Sequence, residues 1–280
     1  TEDGELMEQG LCDLLDFVID GGVHGVFVLG SSGEIYGLHA DQKRRVVEVT
    51  VEHVAGRVPV YAGASEITTR DCIATALMAE QVGGVAALSV LTPYFMTPTQ
   101  AELVEHYTAI AESTSLPVIL YTNPGRTHVD LALDTVLELA SVPGIVGLKD
   151  SAGDLDQTRA LLAARPEGFA VLMGRDTLIE PALAAGADGC IASTANIAPA
   201  LVAGIYGAFR AGDLDLARRR QEALTPLREL LDKATFPVVL KEGLRFAGVD
   251  AGYCLAPARA LTDPWRTRLA EVVAALPTAP

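Results

Sequence analysis

Lysine is scarce in this chain: four copies, at positions 43, 149, 233 and 241, among 21 basic residues. Positive charge as a whole is short, with 36 acidic residues bringing the net charge to −15. A surface this acidic repels nucleic-acid backbone and anionic membrane, so neither is an expected partner. Cysteine is sparse as well. Cys12, Cys72, Cys190 and Cys254 lie far apart, with no CxxC pair and no histidine at ligand spacing. That excludes a disulfide framework and a zinc site and leaves four small core residues in a reducing compartment; no metal is expected. No basic-then-apolar segment opens the chain, since Thr1–Glu8 is acidic. The one long uncharged stretch, Gly189–Phe209, contains Ser193, Thr194, Asn196 and Pro199, and divides into a strand, a loop and a helix start. The expected location is therefore cytoplasmic. Long linkers, low-complexity tracts and solenoid repeats are also absent.

What is present is a regular alternation of short apolar runs and amphipathic stretches. Leu11, Leu14, Leu15, Val18 and Ile19 share a helix face, with Asp13, Asp16 and Asp20 turned outward as a solvated face. Gly21–Gly22 ends that helix, and Val23–Gly30 reads as a strand closing on Gly30–Ser31–Ser32–Gly33–Glu34. Further strands are expected at 58–63, 85–90, 118–121, 145–149, 170–174 and 189–193, separated by helices at 40–54, 70–82, 100–113, 133–140, 155–164 and 178–185. Repeated βα units of this length specify a parallel sheet with helices outside. Seven strands are visible where a (β/α)8 TIM barrel needs eight. Thr1–Glu8 reads as the loop after a first strand that is missing from the sequence. Beyond Asp213 the pattern is helical only, at 214–232, 238–246 and 264–276. The expectation is an α/β chain: a (β/α)8 barrel over residues 1–212 and a C-terminal helical extension over 213–280.

Lys149 stands apart from the other lysines. It ends the apolar run Ile145–Val146–Gly147–Leu148, whereas Lys43, Lys233 and Lys241 sit in polar, helix-like surroundings. An ammonium at the tip of a buried strand is poorly solvated, which favours the neutral, nucleophilic amine. Taken alone, a lysine that snorkels out of the strand end explains it equally well. In a barrel, however, all strand C-termini share one mouth. There Lys149 would meet Ser31 and Ser32, Tyr121, Arg126, Ser151, Gly174, Asp176 and Ser193. GSSGE fails as a phosphate loop because no Lys-Ser/Thr follows it.

The segments GSSGE (30–34), TPYF (92–95), YTNPGRT (121–127), GLKDSAGD (147–154) and GADGCIASTAN (186–196) occur in this order. Together they resemble the dihydrodipicolinate synthase / N-acetylneuraminate lyase superfamily of class I pyruvate aldolases, over essentially the whole chain. The resemblance implies a TIM barrel, a strand before residue 1, and a homotetramer or homodimer. It implies Lys149, Tyr121 and Ser32 as catalytic residues, with Lys149 forming a Schiff base with pyruvate and Tyr121 shuttling protons. Ser31, Ser32 and Gly33 would hold the 2-oxo acid carboxylate, and Arg126 the second substrate's carboxylate. Ser151, Gly174, Asp176, Ile191 and Ser193 would complete the substrate site. No cofactor is implied, because the protonated imine is itself the electron sink.

Three departures bear on the substrate. Phe95 stands where the synthases place a tyrosine that completes a proton relay across a dimer interface. Thr177 replaces the second acid of the lyases' pair, and His128 stands where glycine is common. Two readings therefore stand beside a dihydrodipicolinate-synthase-like condensation of pyruvate with an aldehyde. One is a 2-keto-3-deoxy sugar-acid or 4-hydroxy-2-oxoglutarate aldolase, or a related dehydratase. The other is a non-catalytic 2-oxo acid sensor, which the presence of both Tyr121 and Lys149 argues against.

Overall fold

The computed structural model describes residues 1–277. Seven parallel strands form one curled sheet in chain order: β1 (Val26–Val28), β2 (Val60–Gly63), β3 (Val85–Leu91), β4 (Val118–Thr122), β5 (Ile145–Asp150), β6 (Ala170–Met173) and β7 (Gly189–Cys190). Helices α1 (Glu8–Asp20), α2 (Ala40–Val54), α3 (Thr69–Val82), α4 (Gln100–Ser113), α6 (Leu133–Leu139), α7 (Leu155–Ala164) and α8 (Ile179–Ala184) alternate with them, with a one-turn helix α5 (Pro124–Thr127) behind β4. Helices α9 (Pro199–Arg210), α10 (Leu214–Leu230), α11 (Val238–Phe246) and α12 (Trp265–Ala274) follow the last strand.

Local chemistry explains the boundaries. Thr99 and Glu102 form a reciprocal capping box at the start of α4, and Asp154 accepts two first-turn amides of α7. Pro199 and Pro124 occupy first-turn positions, where no amide is needed. Strand β4 is buried along its whole length, as expected of a central parallel strand covered on both faces. Strand β1 is shorter than the apolar run 23–30 suggested, because Leu29 adopts a left-handed φ of 54° and turns the chain out of the sheet. Strand β7 is also shorter than 189–193: the chain breaks into a 3₁₀ turn over Ser193–Asn196.

Strands β1 and β7 do not pair with each other among the described residues, so the curled sheet stays open on one side. Val26, Val28, Leu172 and Gly189 line the cavity that runs along this opening. Two large apolar clusters carry the packing. One lies between β2–β6 and helices α2–α7 and includes Leu88, Leu120, Tyr107 and Leu139. The other joins α8 and α9 to α10, α11 and α12 through Ile179, Ile205, Leu224, Leu240 and Leu269. The C-terminal helices thus share a core with the last βα unit, which places α10 and α11 against the strand ends.

Candidate active site

Parallel register decides what meets at the strand ends. Tyr121 on β4 pairs with Lys149 on β5, and Lys149 pairs with Leu172 on β6. Register partners in neighbouring strands present their side chains to the same face. Lys149 and Tyr121 therefore stand side by side inside the sheet, only 8% and 5% exposed. The Lys149 Nζ lies 4.1 Å from the centroid of the Tyr121 ring and 4.9 Å from that of Phe27 on β1. Lys43 and Lys241 are held by Glu66 and Glu34. Lys149 has no carboxylate within ion-pair distance among the described residues. Its neighbour Asp150 points the opposite way, accepting hydrogen bonds from Thr158 Oγ1 at 2.6 Å and the Ala152 amide at 2.9 Å. Burial raises the Asp150 pKa; its place is on the helix side, away from Lys149.

Tyr121 is tuned by its neighbours. Burial pushes the phenol up, but the Lys149 charge and hydrogen bonds from Asn123, Ser31 and Ser151 outweigh it and leave the pKa lowered. Asn123 Nδ2 donates to the phenol oxygen at 3.2 Å. A phenol that releases its proton more readily beside an amine is suited to proton transfer.

Ser31, Ser32 and Gly33 form a 3₁₀ turn directly after β1. The first amides of such a turn have no partner within it. The turn is fastened from the C-terminal helices. Glu34, 4% exposed and at a left-handed φ of 55°, accepts from the Leu255 amide at 2.9 Å and pairs with Lys241 Nζ at 2.8 Å.

One cavity of about 980 Å³ is lined by Lys149, Tyr121, Ser31, Ser32, Gly33, Arg126, Ser151, Gly174, Ile191 and Ser193. Asp176 is placed differently from expectation. It is 1% exposed and outside the cavity lining; its carboxylate accepts from Ser193 Oγ at 3.0 Å and the Thr194 amide at 2.7 Å. Its role is to brace the 193–196 turn. Arg126, which sequence alone could have paired with Asp130, instead stacks its guanidinium over Phe236 at 3.9 Å. Phe95 is 95% exposed and turned away from the cavity, at a φ of 73°. Phe27, Asn123, the Glu34–Lys241 pair, Arg175, Arg228 and Asp232 also belong to the site or its supports and were not anticipated. Only Asn123 carried a signal, its place two residues beyond Tyr121.

Among the described residues no group of three or more His, Cys, Asp or Glu is arranged to hold a metal ion, and no helix is long and apolar enough to cross a membrane.

Comparison with known proteins identifies the family. The Dihydrodipicolinate synthetase family model matches residues 1–276. A 4-hydroxy-tetrahydrodipicolinate synthase from Azoarcus sp. (strain BH72) is 37% identical over 268 residues, covering 96% of this chain and 91% of the relative. One from Acidiphilium cryptum is 38% identical over 275 residues, covering 98% and 94%. Among solved structures, a dihydrodipicolinate synthase from Bacillus anthracis superposes with a TM-score of 0.95 at 32% identity, covering 99% of this chain and 95% of that one. The prophage protein YagE of E. coli K12, solved in complex with pyruvate, gives a TM-score of 0.94 at 31% identity, covering 99% and 94%. With the match running to residue 276 and relatives above 30% identity along nearly the full length, the chain belongs to the dihydrodipicolinate synthetase family.

Proposed function

We propose that the chain condenses pyruvate with an aldehyde through an imine on Lys149, or runs the same chemistry in reverse. The observation that carries the proposal is the register pairing of Tyr121 with Lys149, a buried phenol beside a buried amine that no acid holds. The Lys149 amine adds to the keto carbon of pyruvate, and loss of water gives the protonated imine. That imine withdraws electrons from the adjacent methyl, which loses a proton to become an enamine. The enamine carbon attacks the aldehyde, and water then hydrolyses the imine to free the product and Lys149. Tyr121 is the proton carrier between these steps. The amides and hydroxyls of Ser31 and Ser32, with Gly33, hold the pyruvate carboxylate. The imine is its own electron sink, so the reaction calls for neither metal nor organic cofactor.

The name of the YagE complex includes pyruvate, and the closely related chains are synthases of 4-hydroxy-tetrahydrodipicolinate; both support pyruvate as donor. For the acceptor, the internal bonding of Asp176 weakens the sugar-acid reading, since the carboxylate expected to receive sugar hydroxyls is already held by Ser193 and Thr194. Arg126 at the cavity supports an acceptor that carries a carboxylate. Phe95 lacks a hydroxyl, so aspartate semialdehyde should be turned over slowly in comparison with the synthases.

On the same reading, the seven parallel strands over residues 1–212 are those of a (β/α)8-type barrel. Residues 213–280 are the helical extension. The four free thiols and the acidic surface support a cytoplasmic protein, and a homodimer or homotetramer is the proposed assembly.

Borohydride reduction with pyruvate tests the central step. Intact mass should show one adduct, and peptide mapping should place it on Lys149. An adduct on Lys241, or none, would refute the mechanism. Lys149→Arg should abolish trapping, because a guanidinium cannot act as the amine.

A further inference from the structure

The imine chemistry makes no use of Arg175, Arg228 and Asp232, although all three line the same cavity as Lys149 and Arg126. They come from separate elements. Arg126 lies on α5, Arg175 two residues after β6, Arg228 in the last turn of α10, and Asp232 just beyond it. Asp232 Oδ2 stands 3.0 Å from Arg228 Nη1 and 3.6 Å from Arg175 Nη2. Two guanidiniums thus pair with one carboxylate while Arg126 lines the same cavity, a local excess of positive charge in a chain of net charge −15.

Arg228 is the informative member. It is 9% exposed, and its Nη1 is buried with no hydrogen-bond partner; the nearby Asp232 oxygen is close but out of line. A buried guanidinium nitrogen whose nearby acceptor is out of line is poorly satisfied unless something supplies a better-placed oxygen. Asp232 is half exposed and sits between two of the arginines, leaving the cluster short of negative charge. Desolvation lowers the Arg126 pKa; Tyr121 and Asp232 oppose the shift and the like charge of Arg228 adds to it.

We propose that Arg126, Arg175 and Arg228 form an anion subsite that takes a doubly negative tail on the acceptor aldehyde, a phosphate monoester or a pair of carboxylates. Asp232 is the internal carboxylate that holds Arg175 and Arg228 in place beside it. A single carboxylate would occupy one guanidinium fork and leave Arg228 as poorly matched as before, whereas a dianion matches the excess charge. This rests on the reading of the cavity as the pyruvate-imine site.

The test uses enzyme reduced with borohydride on pyruvate, so that binding is read by calorimetry without turnover. The acceptors are glyceraldehyde, glyceraldehyde 3-phosphate, succinic semialdehyde and 2-(2-oxoethyl)malonate. Glyceraldehyde 3-phosphate or the malonate should bind at least about tenfold more tightly than glyceraldehyde, with succinic semialdehyde between them; which of the two leads identifies the tail. The preference should shrink with added salt. In Arg228→Gln the ratio of dianionic to neutral acceptor should collapse towards one, and in Asp232→Asn it should rise. If Arg228→Gln does not fold, the more exposed Arg175→Gln replaces it. Equal affinities for all four acceptors in trapped native enzyme, or an unchanged ratio in a folded Arg228→Gln, would overturn the subsite. Failure to trap pyruvate on native Lys149 would overturn the imine reading instead.

Discussion

A Cβ at Gly174 would stand 2.0 Å from Ser151 Oγ and 3.2 Å from Lys149 Cε, so glycine here keeps open the space through which Lys149 must move. Ser151 Oγ can swing away from a methyl group, but the Asp150 carbonyl at 3.1 Å cannot. Gly174→Ala should therefore fold, yet lose about 10²-fold in kcat/KM for pyruvate, the scale of a small misplacement of reacting groups. Near-native kinetics in the variant would show that the space is not needed. Tyr121→Phe removes one oxygen and should cost roughly 10²–10⁴-fold in turnover with little change in Tm. The placing of Lys149 and Tyr121 at adjacent strand ends was legible in the sequence because a lone lysine at an apolar strand end and a tyrosine at the next one are local patterns. Asp176 was misplaced because the sequence shows its position after β6 but not that Ser193 and Thr194 fold back to bind it. Arg228 was illegible for a similar reason. On α10 it looks like one more surface arginine, and only the packing of that helix against the strand ends turns it inward.

Helix and strand order was readable almost throughout, since capping residues and apolar period are local. The ends of β1 and β7 were not, because a left-handed Leu29 and the turn at Ser193 are set by what packs around them. Two supports of the site show what elements do for each other. Lys241 on α11 holds Glu34 of the serine turn, a pairing 207 residues apart that no local pattern reveals. Lys241→Met would leave the buried Glu34 carboxylate with the Leu255 amide alone. A loss of roughly 3 kcal/mol in denaturant unfolding is expected, together with a raised KM for pyruvate. Unchanged stability would mean that the pair is replaceable by solvent.

On α4, burial holds His106 at a pKa of about 4, against 6.5 for the free side chain. Its Nδ1 lies 2.8 Å from Thr69 Oγ1, and its Nε2 is buried without a partner. The folded-state value is depressed, so this contribution is intact above pH 6.5. As pH falls towards 4 the unfolded chain takes up a proton that the folded chain refuses, and stability is lost. The loss approaches roughly 3 kcal/mol over that window. His106→Phe should flatten the urea-unfolding stability measured between pH 7 and pH 4.5 relative to native; parallel curves would contradict the assignment.

At the scale of the molecule, the chain is a lyase of the dihydrodipicolinate synthetase family, a pyruvate-condensing class, and one exposed apolar loop bears on how copies of it meet. Phe95 is 95% exposed and Met96 beside it 45% exposed, on the loop after β3. A phenylalanine at a φ of 73° carries backbone strain of about 1–3 kcal/mol. Strain and exposed apolar area on the same residue are both unfavourable in an isolated chain and are both offset if a second copy covers the loop. Phe95→Asp should therefore shift the protein towards smaller species in analytical ultracentrifugation, while pyruvate is still trapped on Lys149. Phe95→Tyr should leave the assembly intact and raise turnover of aspartate semialdehyde by restoring a hydroxyl at that position. The two variants separate the roles of this side chain: apolar contact for assembly, and a missing oxygen for the proton path. If native enzyme already turns over aspartate semialdehyde at roughly 10 per second or more, the hydroxyl is dispensable and the synthase activity of its relatives is its own. If Phe95→Asp sediments as native does, the loop is not where the copies meet.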